Sequence, residues 1–109
     1  MLEILFGNNT KEKALLYLYT HGEGFPQEIR KNLDVSLLSV QLQLKRLEEG
    51  GILVCRKRDR TLVYQLNTRY FFYKELVALL EKLLLSLPKE IRKKYYTPRL
   101  RPRRIGKPS

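Results

Sequence analysis

The sequence has very few of the residues that build metal centres and covalent cross-links. It holds one cysteine, Cys55, and one histidine, His21, among its 109 residues. A single thiol cannot form an internal disulfide, and a metal site needs three or four ligands that converge on one point. Cys55 lies in the apolar run LVC, where a buried thiol is expected, and His21 lies in the glycine-rich stretch HGEG, where a surface side chain is expected. The sequence therefore predicts no metal and no cofactor.

Long apolar runs are also missing. The densest run, LVALL at 76–80, is followed at once by Glu81 and Lys82, whereas a membrane-spanning helix needs about 20 apolar residues. The amino-terminal stretch MLEILFGNNT lacks the basic segment and long apolar core of a signal peptide. The sequence contains no glycine-rich phosphate loop and no HExxH pair. We therefore expect a cytoplasmic protein that is not an enzyme and does not contact a membrane.

Acidic residues are scarce relative to basic ones. Eleven Asp and Glu stand against 22 Lys and Arg, which gives a formal net charge of +11 and makes a polyanion the first partner to consider. Much of the excess lies in residues 88–109, where nine basic residues accompany Glu90. From Lys89 onward, prolines and basic residues dominate, which is typical of a segment that is disordered when free. We predict a folded domain over residues 1–88 and a basic, flexible tail over residues 89–109.

The first part of the domain shows the signals of consecutive helices. Residues 1–6 are expected to add a short helix against the core. Asn9 followed by Glu12 is typical of a helix start, and the glycines of HGEG end that helix. A short helix is predicted in FPQEIRKNL, with Pro26 in the first turn, where a missing N–H costs nothing. A tight turn is expected at Asp34 and Val35.

The segment SLLSVQLQLKRLEEGG at 36–51 predicts the next helix, and the apolar period changes after it. Ser36 is suited to cap a helix over 36–49, and the two glycines end it. The period then falls from 3.6 to 2, which predicts a hairpin with strands over about 53–57 and 61–66 and a longer charged loop between them. Leu62, Tyr64 and Leu66 are expected on one face. A last helix is predicted over 73–87.

This order of helix, short helix, turn, capped helix, charged hairpin and helix is that of a winged helix-turn-helix domain, a mainly α fold with a β-hairpin wing. Residues 9–67 resemble the winged-helix domains of small ArsR-type bacterial and archaeal regulators. The resemblance rests on S-x-x-S-V-x-x-x-L-K-R-L-E-E-G-G-I-L at 36–53 and R-x-R-T-x-x-Y-x-L at 58–66. The stretch LFGNNT…LLYL also resembles winged-helix segments attached to nucleotidyltransferase-like domains. The paired cysteines of metal-sensing relatives are missing, so metal sensing is not expected.

The resemblance implies that the 36–49 helix enters the major groove of DNA, and a helical wheel divides its residues between two faces. The core stripe consists of Val40, Leu44 and Leu47. On the outer face, Gln41 is the best candidate for base readout, because an amide can pair bidentately with adenine. Leu38 and Leu42 lie on the same face and can contact thymine methyls or another protein. The predicted DNA-binding residues of this helix are Ser36, Leu38, Ser39, Gln41, Leu42, Lys45 and Arg46.

The predicted wing carries four basic residues in the five positions of RKRDR. Such density favours phosphate contacts, and arginines at a wing tip suit the negative potential of a minor groove. The predicted wing contacts are Arg56, Lys57, Arg58, Arg60 and Thr61.

The tail contains P-R-L-R-P at 98–102, which looks like the P-R-G-R-P core of an AT-hook with leucine in place of glycine. We interpret it as a non-specific basic arm, with a minor-groove arm as the alternative. The arginines concerned are Arg99, Arg101, Arg103 and Arg104.

The last predicted helix, YKELVALLEKLLLSL, is apolar on more than one side. A small winged-helix core needs one apolar stripe, so the surplus predicts dimerisation, helped by residues 1–6 and 70–72. The predicted dimerisation residues are Leu76, Leu80, Leu83 and Leu87. A two-fold dimer places two recognition helices about one DNA turn apart and predicts a pseudo-palindromic site.

Together these patterns predict a homodimeric transcriptional regulator that binds double-stranded DNA in a sequence-specific manner. Two alternatives stay open. The domain could be a protein-interaction winged helix whose outer face, with Leu38 and Leu42, packs on a protein partner. It could also bind nucleic acid without specificity, as a nucleoid or RNA binder that uses the basic tail.

Overall fold

The computed structural model describes residues 3–96. Within that range the chain forms six helices and one antiparallel pair of strands, so the predicted mainly α architecture with a hairpin is confirmed. The elements are α1 (Glu3–Phe6), α2 (Asn9–His21), α3 (Pro26–Leu33), α4 (Leu37–Glu49), β1 (Leu53–Arg58), β2 (Thr61–Leu66), α5 (Tyr73–Ser86) and α6 (Lys89–Tyr95). The predicted contacts at Arg99, Arg101, Arg103 and Arg104 lie outside the described residues.

Helix α2 forms the centre of the core. Residues 14–18 are all buried, because α1, α3, α4, α5 and β2 surround this helix. Burial of one large aliphatic side chain stabilises a fold by roughly 1.5–3 kcal/mol, so this run contributes strongly to stability. Within residues 3–96, no helix combines the length and the apolar composition that crossing a bilayer requires.

Helix α2 is capped by Asn8 rather than by the predicted Asn9. The Oδ1 of Asn8 accepts a hydrogen bond from the backbone N–H of Lys11 at 3.0 Å, and Asn9 is the first helical residue. Either asparagine has the chemistry of an N-cap. Gly7, with φ 79°, turns the chain just before Asn8, and this turn sets which of the two precedes the helix.

The turn between α3 and α4 follows the sequence signals closely. Asp34 takes a left-handed conformation (φ 56°) and ends α3, as a tight turn requires. Ser36 caps α4, and its Oγ accepts a hydrogen bond from the N–H of Ser39 at 3.0 Å. The predicted stripe of Val40, Leu44 and Leu47 is buried against the rest of the core. The bounds and orientation of α4 are therefore as predicted.

The wing hairpin has a shorter turn than the sequence suggests. The register joins Arg58 to Thr61, so only Asp59 and Arg60 connect the strands, and the expected longer loop is wrong. Asp59 adopts the left-handed φ of 58° that a tight hairpin turn usually obtains from glycine or asparagine. Of the three residues predicted on one face, Tyr64 and Leu66 are buried, while Leu62 is exposed because it lies near the tip.

The loop before α3 is joined to the wing by backbone hydrogen bonds. Gly24 and Tyr64 form an antiparallel bridge with N···O distances of 3.0 and 2.8 Å. A Cβ on Gly24 would lie 3.0 Å from Cε1 of Tyr17, which explains why a glycine is needed for this close approach. The bridge fixes the position of residues 23–25 relative to β2.

The folded region continues beyond the predicted boundary at residue 88. Helix α6 occupies Lys89–Tyr95, and Tyr96 is buried against the core, so a flexible tail beginning at Lys89 is wrong for residues 89–96. Burial raises the pKa of Tyr96 well above its usual range, with the carboxylate of Glu12 as the second cause. Together with Ile91, Tyr95 and Tyr96 also line a cavity of about 280 Å³ between α2, α3 and α6.

Helix α5 turns much of its predicted dimerisation stripe toward its own core. Leu80 and Leu83 are buried within one chain, and Leu76 and Leu87 are half-buried against the same core. Leu80 and Leu83 are therefore not available to a second copy, because α2 and its neighbours already need this stripe. The exposed leucine of α5 is Leu85.

Candidate nucleic-acid interface

The outer face of α4 presents the predicted helix residues to solvent. Gln41, Lys45 and Arg46 are exposed. Leu38 and Leu42, one turn apart, are 76% and 44% exposed. This face therefore combines one amide, two cations and an apolar pair on a helix whose opposite side is fixed in the core.

The two serines at the start of α4 lie where a DNA backbone could approach the end of the helix. Ser36 is exposed, and its oxygen serves as the helix cap, which leaves its hydroxyl hydrogen available to donate. Ser39 is half-buried. Backbone N–H groups at a helix N-terminus favour anions such as phosphate, so these serines suit a positioning contact better than base readout.

Gln43 is a buried polar residue of α4 that the sequence pattern does not single out. It is 4% exposed, and its Oε1 finds no hydrogen-bond donor among the described residues. The available signal was its spacing, because Gln43 lies three residues after Val40 and four before Leu47, both of which are core residues. Gln43 makes the inner side of α4 more polar than a pure leucine stripe would be. A buried acceptor without a donor costs free energy, so this residue is expected to lower the stability of the fold.

The cations of the wing project into solvent on two faces. Arg56, Lys57, Arg58 and Arg60 are all exposed, and Thr61 is half-buried. Successive strand residues point to opposite faces of a sheet. Leu53 and Cys55 pack toward the core, so Arg56 and Arg58 share the outward face while Lys57 points the other way. The outward face therefore holds a pair of guanidinium groups.

That guanidinium pair is held by Glu23, which the sequence analysis did not single out. The Nη2 of Arg56 donates to Oε1 of Glu23 at 2.8 Å, and the Nη1 of Arg58 donates to Oε2 at 2.9 Å. The hydrogen bond from Arg58 raises the pKa of this guanidinium, which was already charged at any working pH. No local signal could have found this contact, because Glu23 lies far away in sequence.

The inner face of the wing carries the other titratable groups. Burial, followed by the neighbouring Cys55, raises the pKa of Tyr64 to about 12. Cys55 itself is half-buried, although the sequence predicts a buried thiol.

His21 is more enclosed than the sequence predicts. It ends α2, stacks on Tyr17 with ring centroids 3.9 Å apart, and places Nδ1 3.0 Å from Oγ1 of Thr20.

The potential metal ligands of residues 3–96 are dispersed. In this part of the chain no three histidine, cysteine or carboxylate side chains lie together as a metal site requires.

Comparison with known proteins identifies the fold. No protein-family model matches the chain, and no curated protein sequence matches it either. Solved structures do match. The transcriptional regulator Tm0710 from Thermotoga maritima is 25% identical with a TM-score of 0.56, and the match covers 85% of this chain and 72% of that one.

Two further structures give the same result. MepR, a transcription regulator of the Staphylococcus aureus multidrug efflux pump MepA, is 21% identical with a TM-score of 0.59, covering 84% of this chain and 74% of that one. The YusO protein from Bacillus subtilis is 20% identical with a TM-score of 0.59, covering 84% and 73%. These neighbours are winged-helix proteins, so the predicted winged helix-turn-helix fold is confirmed.

Proposed function

We propose that this protein is a transcriptional regulator that binds double-stranded DNA, with α4 in the major groove and the wing on the adjacent backbone and minor groove. The observation that carries the proposal is the division of α4 into two faces. Val40, Leu44 and Leu47 fix the helix in the core, and the face they leave outside presents Gln41 and Lys45 to solvent. A helix that is fixed in the core and presents an amide and a cation on its outer side is what major-groove readout requires.

The wing supports the proposal by its charge and its position. Only residues 50–52 separate α4 from β1, and the two elements are in contact. A DNA duplex on α4 therefore lies within reach of the exposed cations at 56–60, which would bind phosphates. The similarity to Tm0710 and MepR, both transcription regulators, supports the same class of function.

We infer that the active form is a homodimer that uses the segments expected to assist dimerisation, residues 1–6 and 70–72, together with the outer side of α5 instead of its buried leucines. Large apolar side chains are exposed on α1, in the turn before α5 and on the outer side of α5. The residues are Ile4, Leu5, Phe71, Phe72 and Leu85. Exposed apolar surface of this kind is typical of an interface, and a two-fold dimer would bind a pseudo-palindromic site.

Four further parts of the proposal rest on the sequence: the ArsR-type assignment, the cytoplasmic location, the lack of a catalytic step and the role of the tail. The narrower ArsR-type assignment depends on the resemblance of residues 36–53 and 58–66, while the matched structures support winged-helix regulators in general. A regulator of this kind would act in the cytoplasm, without a catalytic step. The tail arginines at 99–104 would add affinity without specificity.

Binding to duplex DNA tests the proposal directly. Full-length protein is titrated by fluorescence anisotropy against random duplex and genomic fragments over a salt series. We expect Gln41→Ala with Lys45→Ala to reduce both affinity and selectivity, because the pair removes an amide contact and a phosphate contact. Lys74→Ala, an exposed cation on α5, is the matched control. Equal affinity and selectivity in wild type and the α4 variant would show that α4 is not the recognition helix.

A second candidate function follows from one specific observation, the exposure of Leu38 and Leu42. Two leucines one turn apart on an outer helix face also suit a protein partner. Leu38→Ser with Leu42→Ser distinguishes the two functions. A protein-interaction role predicts unchanged DNA binding together with loss of a partner, whereas a DNA role predicts altered sequence preference.

A further inference from the structure

Glu23 holds both arginines of the outward wing face in a specific geometry. Arg58 directs its two terminal nitrogens at the carboxylate, with Nη1 2.9 Å from Oε2 and Nη2 3.3 Å from Oε1. Arg56 completes the arrangement, with Nη2 2.8 Å from Oε1. A bidentate fork on two oxygens is also the geometry in which arginine binds phosphate. The carboxylate therefore occupies the groups that a DNA phosphate would need.

The position of Glu23 is set by the backbone of its loop. Gly24 is joined to Tyr64 by two hydrogen bonds and faces inward, toward the ring of Tyr17. Since neighbouring residues of an extended segment alternate in direction, Glu23 points outward, across β2. Arg56 and Arg58 reach the same face from β1. The bridge at Gly24 thus sets the distance between the carboxylate and the two guanidinium groups.

The three side chains are exposed enough for another anion to replace the Glu23 carboxylate. About half of each arginine side chain is exposed, at 53% and 52%, and the Glu23 side chain is 36% exposed. Ion pairs at such exposure are weak and are screened by salt. A polyanion that offers several phosphates to the wing can displace the carboxylate without unfolding any element.

We propose that Glu23 acts as an internal competitor of DNA: in the unbound protein it occupies the phosphate-binding forks of Arg56 and Arg58, and DNA binding exchanges the carboxylate for phosphate. This inference rests on the proposed function of the wing. Because the exchange involves the DNA backbone and not the bases, Glu23 lowers affinity for every duplex. The effect decreases as salt rises, since salt weakens the ion pair that DNA must break.

The test is a thermodynamic cycle on the full-length protein with a random duplex of fixed length. Glu23→Gln keeps the shape and removes the charge, and Arg56→Gln with Arg58→Gln removes the two forks. We expect Glu23→Gln to raise affinity by about threefold to tenfold at low salt, with a smaller gain at high salt. In the Arg56→Gln, Arg58→Gln background the same substitution should give no gain beyond that of the control. Thermal unfolding of each variant verifies that it is folded.

The control is Glu75→Gln, which makes the same change in net charge at an exposed position on α5. An equal rise in affinity in Glu23→Gln and Glu75→Gln would reduce the effect to net charge and overturn the inference. A loss of affinity in Glu23→Gln would also overturn it, because Glu23 would then orient the arginines instead of competing for them.

Failure of the inference can be distinguished from failure of the proposed function. If removal of Arg56 and Arg58 weakens DNA binding but Glu23→Gln does not strengthen it, the wing binds DNA and the competitor role is wrong. If neither wild type nor Glu23→Gln binds duplex at low salt, the proposed function fails and the inference fails with it.

Discussion

The outer face of α4 and the outward face of the wing are adjacent in the chain and differ in almost every property. The α4 face carries Leu38 and Leu42 with few hydrogen-bonding groups, on a helix whose other side is buried. The wing is a two-stranded hairpin with several exposed cations, and two of these cations are paired with the carboxylate of Glu23. Under the proposed function, α4 would supply geometry and sparse base contacts, and the wing would supply affinity that Glu23 limits.

The largest effect is expected when the packing that holds α4 in the core is removed, because the recognition face and the wing both depend on the folded domain. Leu44 is fully buried beneath this helix, and Leu44→Ala should destabilise the fold by about 2–5 kcal/mol. DNA binding should be lost under the conditions in which the variant is unfolded. Chemical denaturation measures the change. Lys31→Ala, at an exposed position on α3, is the control and should change stability little, so similar losses for the two variants would contradict the burial pattern.

Removal of the wing arginines tests the other side of the comparison. Arg56→Gln with Arg58→Gln should weaken binding to all duplex sequences alike, because phosphates carry no sequence information. The slope of log affinity against log salt should fall by about one for each phosphate that the wing no longer binds. Anisotropy titrations across a salt series measure both quantities. A weakening confined to one preferred sequence would mean that the wing contributes base readout.

Gln41→Ala should produce the reverse pattern. Without one bidentate pairing to a base, discrimination should fall by about 1–3 kcal/mol at one position of the site. The salt slope should stay near that of wild type, because Gln41 carries no charge. Competition between a preferred duplex and its single-base variants measures the discrimination. If affinity fell equally for all duplexes and discrimination stayed intact, a residue other than Gln41 would read the base.

Leu38→Ser tests whether the apolar pair on α4 serves contact or stability. The side chain is 76% exposed, so the free energy of unfolding should change by no more than about 0.5 kcal/mol. We expect a shift in preference at thymine-containing positions, since a leucine can contact the thymine methyl. Denaturation and binding-site selection are the two measurements. A strongly destabilised variant would show that Leu38 is covered in solution, by a second copy or another part of the chain.

The smallest effect concerns the inner side of the wing and is confined to high pH. Burial raises the pKa of Tyr64 to about 12, from 10.0. Because the folded state keeps the proton longer than the unfolded state, stability is fully present below pH 10 and falls as the pH rises toward 12. Tyr64→Phe should show a shallower fall in melting temperature over that interval. Identical pH profiles would mean that Tyr64 does not resist ionisation in the folded protein.

Most of the fold could be predicted because its signals are local. Ser36 lies only three residues before Ser39, whose N–H group it caps, and the spacing of Val40, Leu44 and Leu47 fixes the inner face of α4. The errors are local as well. Asn8 and Asn9 have equal capping chemistry, and Asp59 takes the place of a glycine in the hairpin turn.

What could not be predicted depends on distant contacts. Glu23 meets Arg56 across 33 positions of sequence, and only the bridge between Gly24 and Tyr64 brings them together. The sequence pattern assigns Leu80 to a dimer interface because it does not show how much core α2 needs on its α5 side. The apolar spacing of Ile91 and Tyr95 was hidden in a stretch whose charge suggested disorder, although α6 forms there. Composition alone therefore placed the end of the folded region too early.

Selection of binding sites from a random duplex library tests the central claim most directly. Full-length wild type and the variant Gln41→Ala with Lys45→Ala are each taken through the selection, and the enriched sequences are compared. The account predicts that wild type enriches a pseudo-palindrome with half-sites about 10–10.5 base pairs apart, and that the variant loses the preference while it retains salt-dependent binding through the wing. No enrichment by wild type, or the same enriched sequence from both proteins, would contradict it.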